Sequence, residues 1–159
     1  MSPSESAALI GRLTVERAAW QALLNVLGEE ERALVDGEAD RLAPLNASKL
    51  AQLQTLGNLA QTRHEALQAA GHSPDHAGMD AWISKHGQPE HLAHWRQLCD
   101  MEQQARAQNQ RIGTLIDLRL ASTRQALNVL VHAATSHNGL YDQAGQSVAA
   151  STGKPLTAA

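Results

Sequence analysis

Between Ile10 and Leu34 the chain places Ile10, Leu13, Arg17, Trp20, Leu24, Leu27, Glu31 and Leu34 at alternating steps of three and four residues. That spacing keeps one side of an α-helix facing a partner. Six of the eight positions are apolar, so the stretch reads as the seam of a helical bundle or coiled coil. Ser4 is the N-cap candidate, with Glu5 in the first turn, and Asp36-Gly37 supplies the stop. The pattern returns twice. A second helix from about Asp40 carries Leu42, Leu45, Lys49, Leu53, Leu56, Ala60 and Leu67 on one stripe. Pro44 lies near its start, where a missing N–H costs little, and Gly71 ends it. A third helix begins at Pro89-Glu90 and meets no further Pro until Pro155. Its seam runs Leu92, Trp95, Cys99, Glu102, Ala105, Asn109, Ile112, Ile116, Leu120, Thr123, Leu127 and Leu130, with a strongly polar middle from Glu102 to Gln110.

The breaker-rich segment between Gly71 and Pro89 surrounds a short apolar patch, Met79, Trp82 and Ile83. It reads as a connector with one or two helical turns that tuck Trp82 onto the bundle end. After Ala134 the chain turns to Ala, Ser, Thr, Gly and Asn, a composition that buries too little to stay ordered alone. The expected fold is therefore all-α: an up-down-up bundle of three long antiparallel helices with a short helical connector at about 71–89. The bundle domain spans 1–134 and a flexible tail 135–159. The third helix outreaches the second by roughly 20 Å at 1.5 Å per residue. Because the two pair from the connector end, that excess falls at residues from about Leu120 to Val131.

The same region has apolar residues on two faces. Beside Ile112, Ile116, Leu120, Leu127 and Leu130, a second stripe runs Leu115, Leu118, Ser122, Ala126 and Val129. Such a helix calls for two partners. Either the first and second helices cover both stripes, or one stripe docks another chain's amphipathic helix. Self-association through the surplus stripe, as a homodimeric coiled-coil adaptor, is the alternative reading.

Composition excludes several other classes. Aromatic content is 3% with no Phe, which disfavours sheet, and the formal charge of -3 offers no basic footprint for nucleic acid. No apolar run approaches the roughly 20 residues of a membrane span. The start "MSPSESAALIGRLTVER" lacks the basic-then-apolar order of a signal peptide, and Cys99 stands alone, so the expected location is the cytoplasm. His72, His76, His86, His91 and His94 cluster around the connector, but with no Cys or H-E-x-x-H motif beside them they read as solvated or capping residues. Asp142-Gln143-Ala144-Gly145 lacks the alternating ligands of a calcium loop. Glu29-Glu30-Glu31 reads as a solvated face near a helix end. With no phosphate loop, nucleophile elbow or facing carboxylates, the expectation is a non-enzyme without cofactor or metal.

Three stretches carry a resemblance. The run Asn109-Gln110-Arg111-Ile112-Gly113-Thr114-Leu115-Ile116, then Arg119-Leu120 and Thr123-Arg124-Gln125-Ala126-Leu127-Asn128-Val129-Leu130, then Leu140-Tyr141-Asp142 with Gly145-Gln146, resembles the FlgN family of cytoplasmic flagellar type III export chaperones. The detailed likeness covers about 109–146, and length and helix layout agree over the rest. The family pattern places Asn directly before the first Gly; here Arg111-Ile112 precedes Gly113. The resemblance implies that the chain binds hook-associated proteins of the hook–filament junction, keeps them from premature assembly and delivers them to the export gate. It implies that Leu115, Ile116, Leu118, Leu120, Leu127, Val129 and Leu130 hold the cargo's amphipathic C-terminal helix. It further implies that Tyr141, the chain's only tyrosine, docks on the gate's cytoplasmic domain, with the export ATPase complex as a further partner.

Overall fold

A computed structural model of the chain describes residues 3–138. Among these residues the structure is all-helical, with four helices: α1 (Pro3–Asp36), α2 (Ala39–Ala69), α3 (His76–His86) and α4 (Pro89–Asn138). By its contacts the chain divides after Ile116, inside α4.

Local chemistry sets the boundaries. Helix α1 starts at Pro3, so Ser4 lies inside it instead of capping it. Gly37 and Gly71 take positive φ angles of 77° and 78° after α1 and α2. Each lets the next residue's N–H turn back to the helix: Glu38 N–H donates to Ala33 O and His72 N–H to Leu67 O, both at 2.9 Å. The connector is more regular than its breakers suggest, because Asp75 caps α3 and extends it to three turns. Its Oδ1 accepts from Gly78 N–H at 2.8 Å and from Ser73 Oγ at 2.7 Å. The Ser73 hydroxyl and the Gly78 N–H hold the Asp75 carboxyl below its usual range. Gly78 is required by space, since a Cβ there would lie 1.8 Å from the Ser73 carbonyl oxygen.

Within residues 1–116 the core forms two apolar clusters. One gathers Leu9, Leu13, Leu67, Met79, Trp82, Ile83, Trp95 and Leu98, so α3 does insert Trp82 among the long helices. The other gathers Leu23, Leu27, Leu34, Leu56, Ala105 and Ile112, with Leu115 packed against it. Helices α1 and α2 approach most closely. Helix α4 reaches the core through the long side chains of Trp95, Leu98 and Met101.

Two buried charges that the seam spacing does not reveal interrupt this core, Glu16 between the two clusters and Glu30 within the second. The buried line of α1 runs through Leu9, Leu13, Glu16, Leu23, Leu27, Glu30 and Leu34, one residue round the helix from Arg17 and Glu31. Glu16 and Glu30 are 2% and 5% exposed because cations of α2 neutralise them. Arg63 grips Glu16 with two hydrogen bonds, Nε–Oε2 at 2.9 Å and Nη2–Oε1 at 3.2 Å, and its guanidinium sits 5.0 Å from the Trp95 ring centre. Lys49 Nζ donates to both oxygens of Glu30 at 2.8 and 2.9 Å. Of the glutamate run, only Glu29 keeps a solvated position. Glu29 meets Arg41, Glu30 is buried, and Glu31 binds α4 through Gln108 Nε2 at 3.0 Å and Arg111 Nε at 3.4 Å. Gln108 holds the Glu31 carboxyl below its ordinary range against the opposing effect of burial, with Arg111 helping. The α1–α2 pairs meet in opposite chain order, whereas Arg17–Gln97 and Glu31–Arg111 join α1 to α4 in the same order.

Removing one partner of a buried pair strands a charge, while removing both does not. Glu16→Gln or Arg63→Met alone is expected to cost about 3–5 kcal/mol of unfolding free energy. The double variant Glu16→Leu/Arg63→Met should cost far less than the sum of the single losses. Urea unfolding followed by far-UV circular dichroism measures both; single losses below about 1 kcal/mol would place this pair among surface pairs.

Candidate docking surface on the last helix

Helix α4 has 50 residues against 31 in α2. Its last buried residue is Ile112, 1% exposed in the second core cluster. Leu115 is half-buried against that cluster. From Ile116 to Ser136 every residue is exposed. This stretch is nevertheless rich in large apolar side chains: Leu118 is 62% exposed, Leu120 50%, Leu127 58%, Val129 62%, Leu130 65% and Val131 53%. From Ile116 onward both sequence stripes are therefore open, and only their first residues, Ile112 and Leu115, join the core.

The segment is helical without burial because its residues favour helix and because the preceding turns, already fixed, spare it the cost of nucleation. Hydroxyls back-bond along it: Thr123 Oγ1 donates to Arg119 O at 2.9 Å and Ser136 Oγ to His132 O at 2.8 Å. Six of the seven residues expected to hold a cargo helix, Ile116, Leu118, Leu120, Leu127, Val129 and Leu130, share this exposed stretch. The seventh, Leu115, belongs to the edge of the core. Val131 extends the open stripe and was legible from its spacing to Leu127 and Leu130. Tyr141 and the tail motif lie outside the described residues.

Other candidates have structural explanations. The histidines form no grouping suited to a metal among the described residues. His91 accepts from Gln88 N–H through Nδ1 at 3.0 Å, capping α4. His76 lies 3.4 Å from Glu102 and 5.2 Å from the Trp95 ring, and His86 stacks on Trp82. Burial, with Arg63 next in weight, pulls His64 below its usual range. A cleft of about 240 Å³ lies between Trp20, Leu27, Leu53 and Ala105. Trp20 Nε1 is the one buried side-chain nitrogen without a partner among the described residues. No described helix is long and apolar enough to cross a membrane.

The family model for FlgN protein matches residues 1–149, which takes in the whole bundle, the open stripes and Tyr141. The chain belongs to the FlgN family. That membership makes it a flagellar type III export chaperone in general terms. No curated protein and no solved structure matches the chain.

An open surface predicts stability that is indifferent to its chemistry. The double variant Leu127→Asp/Leu130→Asp should keep its helix content and unfold within about 0.5 kcal/mol of the parent, as surface changes do. A loss above about 2 kcal/mol would show that the residues are covered. Cys99 should behave oppositely. Burial, followed by Glu102 and Asp80, pushes its thiol up to about 11. A disulfide reagent at pH 8 should therefore label it far more slowly than a free cysteine, with the rate climbing as pH approaches about 11.

Proposed function

We propose that this chain binds the amphipathic C-terminal helical region of hook-associated proteins on the distal part of α4. It thereby keeps those subunits from assembling early and carries them in the cytoplasm to the export gate. The supporting observation is the run of exposed Leu and Val side chains on a stretch of α4, residues 116–136, that buries nothing, in a chain of the FlgN family. Leu118, Leu120, Leu127, Val129 and Leu130 form the cargo surface, with Leu115 and Ile116 at its junction with the core. The long helices run up, down and up, and residues 135–159 act as a tail whose Tyr141 engages the cytoplasmic domain of the gate.

The energetics suit a reversible holder. Micromolar affinity corresponds to about 8 kcal/mol. Burying a Leu or Val side chain contributes about 1.5–3 kcal/mol, so six anchors exceed that figure before association costs are subtracted. Sequestering the cargo's sticky helix removes the surface on which it would polymerise, and release needs no covalent step.

Co-purification of the whole chain with a hook-associated protein should be lost in Leu127→Asp/Leu130→Asp. A folded double variant that still binds cargo would move the surface elsewhere. Tyr141→Ala should leave cargo binding unchanged and lower recruitment to the gate's cytoplasmic domain in a pull-down. Loss of cargo instead would reverse the two roles.

A further inference from the structure

We infer that the cleft between α1, α2 and α4 is a binding site for a small uncharged molecule with a flat apolar body and a carbonyl acceptor. The inference goes beyond the chaperone role and uses no residue of the open stretch of α4.

Helices α1 and α2 pack closely, while α4 stands further off. Part of the space this leaves is the cleft of about 240 Å³. Its apolar lining comes from all three helices: Trp20, Leu23 and Leu27 of α1, Leu53 of α2 and Ala105 of α4. Leu53 is 46% exposed, so the lining is open to a molecule arriving from water. A concave apolar wall with a few polar groups is the usual make-up of a small-molecule site.

The charges beside the cleft are already matched. Lys49 Nζ is held by both oxygens of Glu30 at 2.8 and 2.9 Å, and Arg106 is paired with Glu102. A charged ligand would shed its hydration there and meet no open counter-charge, so an uncharged one is favoured.

Trp20 supplies the polar requirement. Its Nε1 is the one buried side-chain nitrogen or oxygen without a partner among the described residues. The same side chain also lines a neighbouring cleft of about 320 Å³. Bordered by two spaces, the indole has room for the small shift that brings its N–H to an incoming acceptor. A buried donor left unpaired is destabilising, so a ligand carbonyl that accepts from Nε1 gains by relieving it. Asn109, exposed where it lines the cleft, adds an amide that both donates and accepts. A ring carrying a neutral carboxamide meets all of these conditions.

Benzamide, benzoate, benzamidine and toluene share a ring and differ in the head group. Titrated into the whole chain and followed by ligand-observed NMR, they test each condition separately. Benzamide should bind with a Kd of about 1 mM, and the two charged analogues at least about tenfold more weakly. Trp20→Phe keeps an aromatic ring and removes the N–H. It should weaken benzamide about tenfold and toluene by less than about twofold. Leu53→Trp fills the cleft from its exposed wall and should abolish binding of both. Trp20 is half-buried and Leu53 exposed, and circular dichroism verifies that each variant keeps its helix content. Equal affinity for benzamide and its charged analogues overturns the inference, as does an equal loss of benzamide and toluene in Trp20→Phe. So does unchanged benzamide binding in a folded Leu53→Trp. Absence of benzamide binding to the parent at about 10 mM leaves the cleft to water and overturns it as well.

Discussion

The buried pair of Glu16 and Arg63 fixes how the helices meet. Arg63 lies under α1 at Glu16 and against α4 at Trp95, so one side chain touches three helices at the boundary between the two apolar clusters. The second pair repeats the device two heptads away, with Glu30 on Lys49. Their spacing removes ambiguity. Slipping α1 against α2 by one heptad would set both glutamates opposite leucine or alanine positions of α2, leaving two buried carboxylates unpaired. Apolar seams alone tolerate such slips, and buried charge at matched spacing does not. The cost is desolvation, which the two-pronged guanidinium contact and the Trp95 ring offset in part.

Those pairs are also where the sequence was hardest to read. The step of three and four residues gave the long helices and their ends, and the glycines at Gly37 and Gly71 do the work their type suggests. Periodicity does not say which of two adjacent stripes is inward when both contain acids, and Arg17 and Glu31 were favoured over Glu16 and Glu30. The deciding fact is a cation on another helix, which no local pattern contains. Arg63 was passed over for the same reason. The connector erred in the other direction. Its Gly and Pro residues suggested irregularity, yet Gly78 is what allows Ser73 and Asp75 to start a proper helix.

The exposed apolar stretch of α4 was more legible, because exposure of apolar side chains follows from counting faces. Two stripes on a helix much longer than its neighbour leave a surplus, and six of the seven residues named from the sequence lie in the open stretch. Leu115 departs because the core extends to it.

The placement of chromophores has a practical side. All three tryptophans, Trp20, Trp82 and Trp95, sit within residues 1–116 and contribute to its packing. The open stretch of α4 has none. Tryptophan fluorescence therefore watches the packed layers and is blind to the open stretch of α4, whereas far-UV ellipticity sees both. The molecule comes with a built-in division of optical signals, so that fraying of the exposed helix and collapse of the core register as separate events.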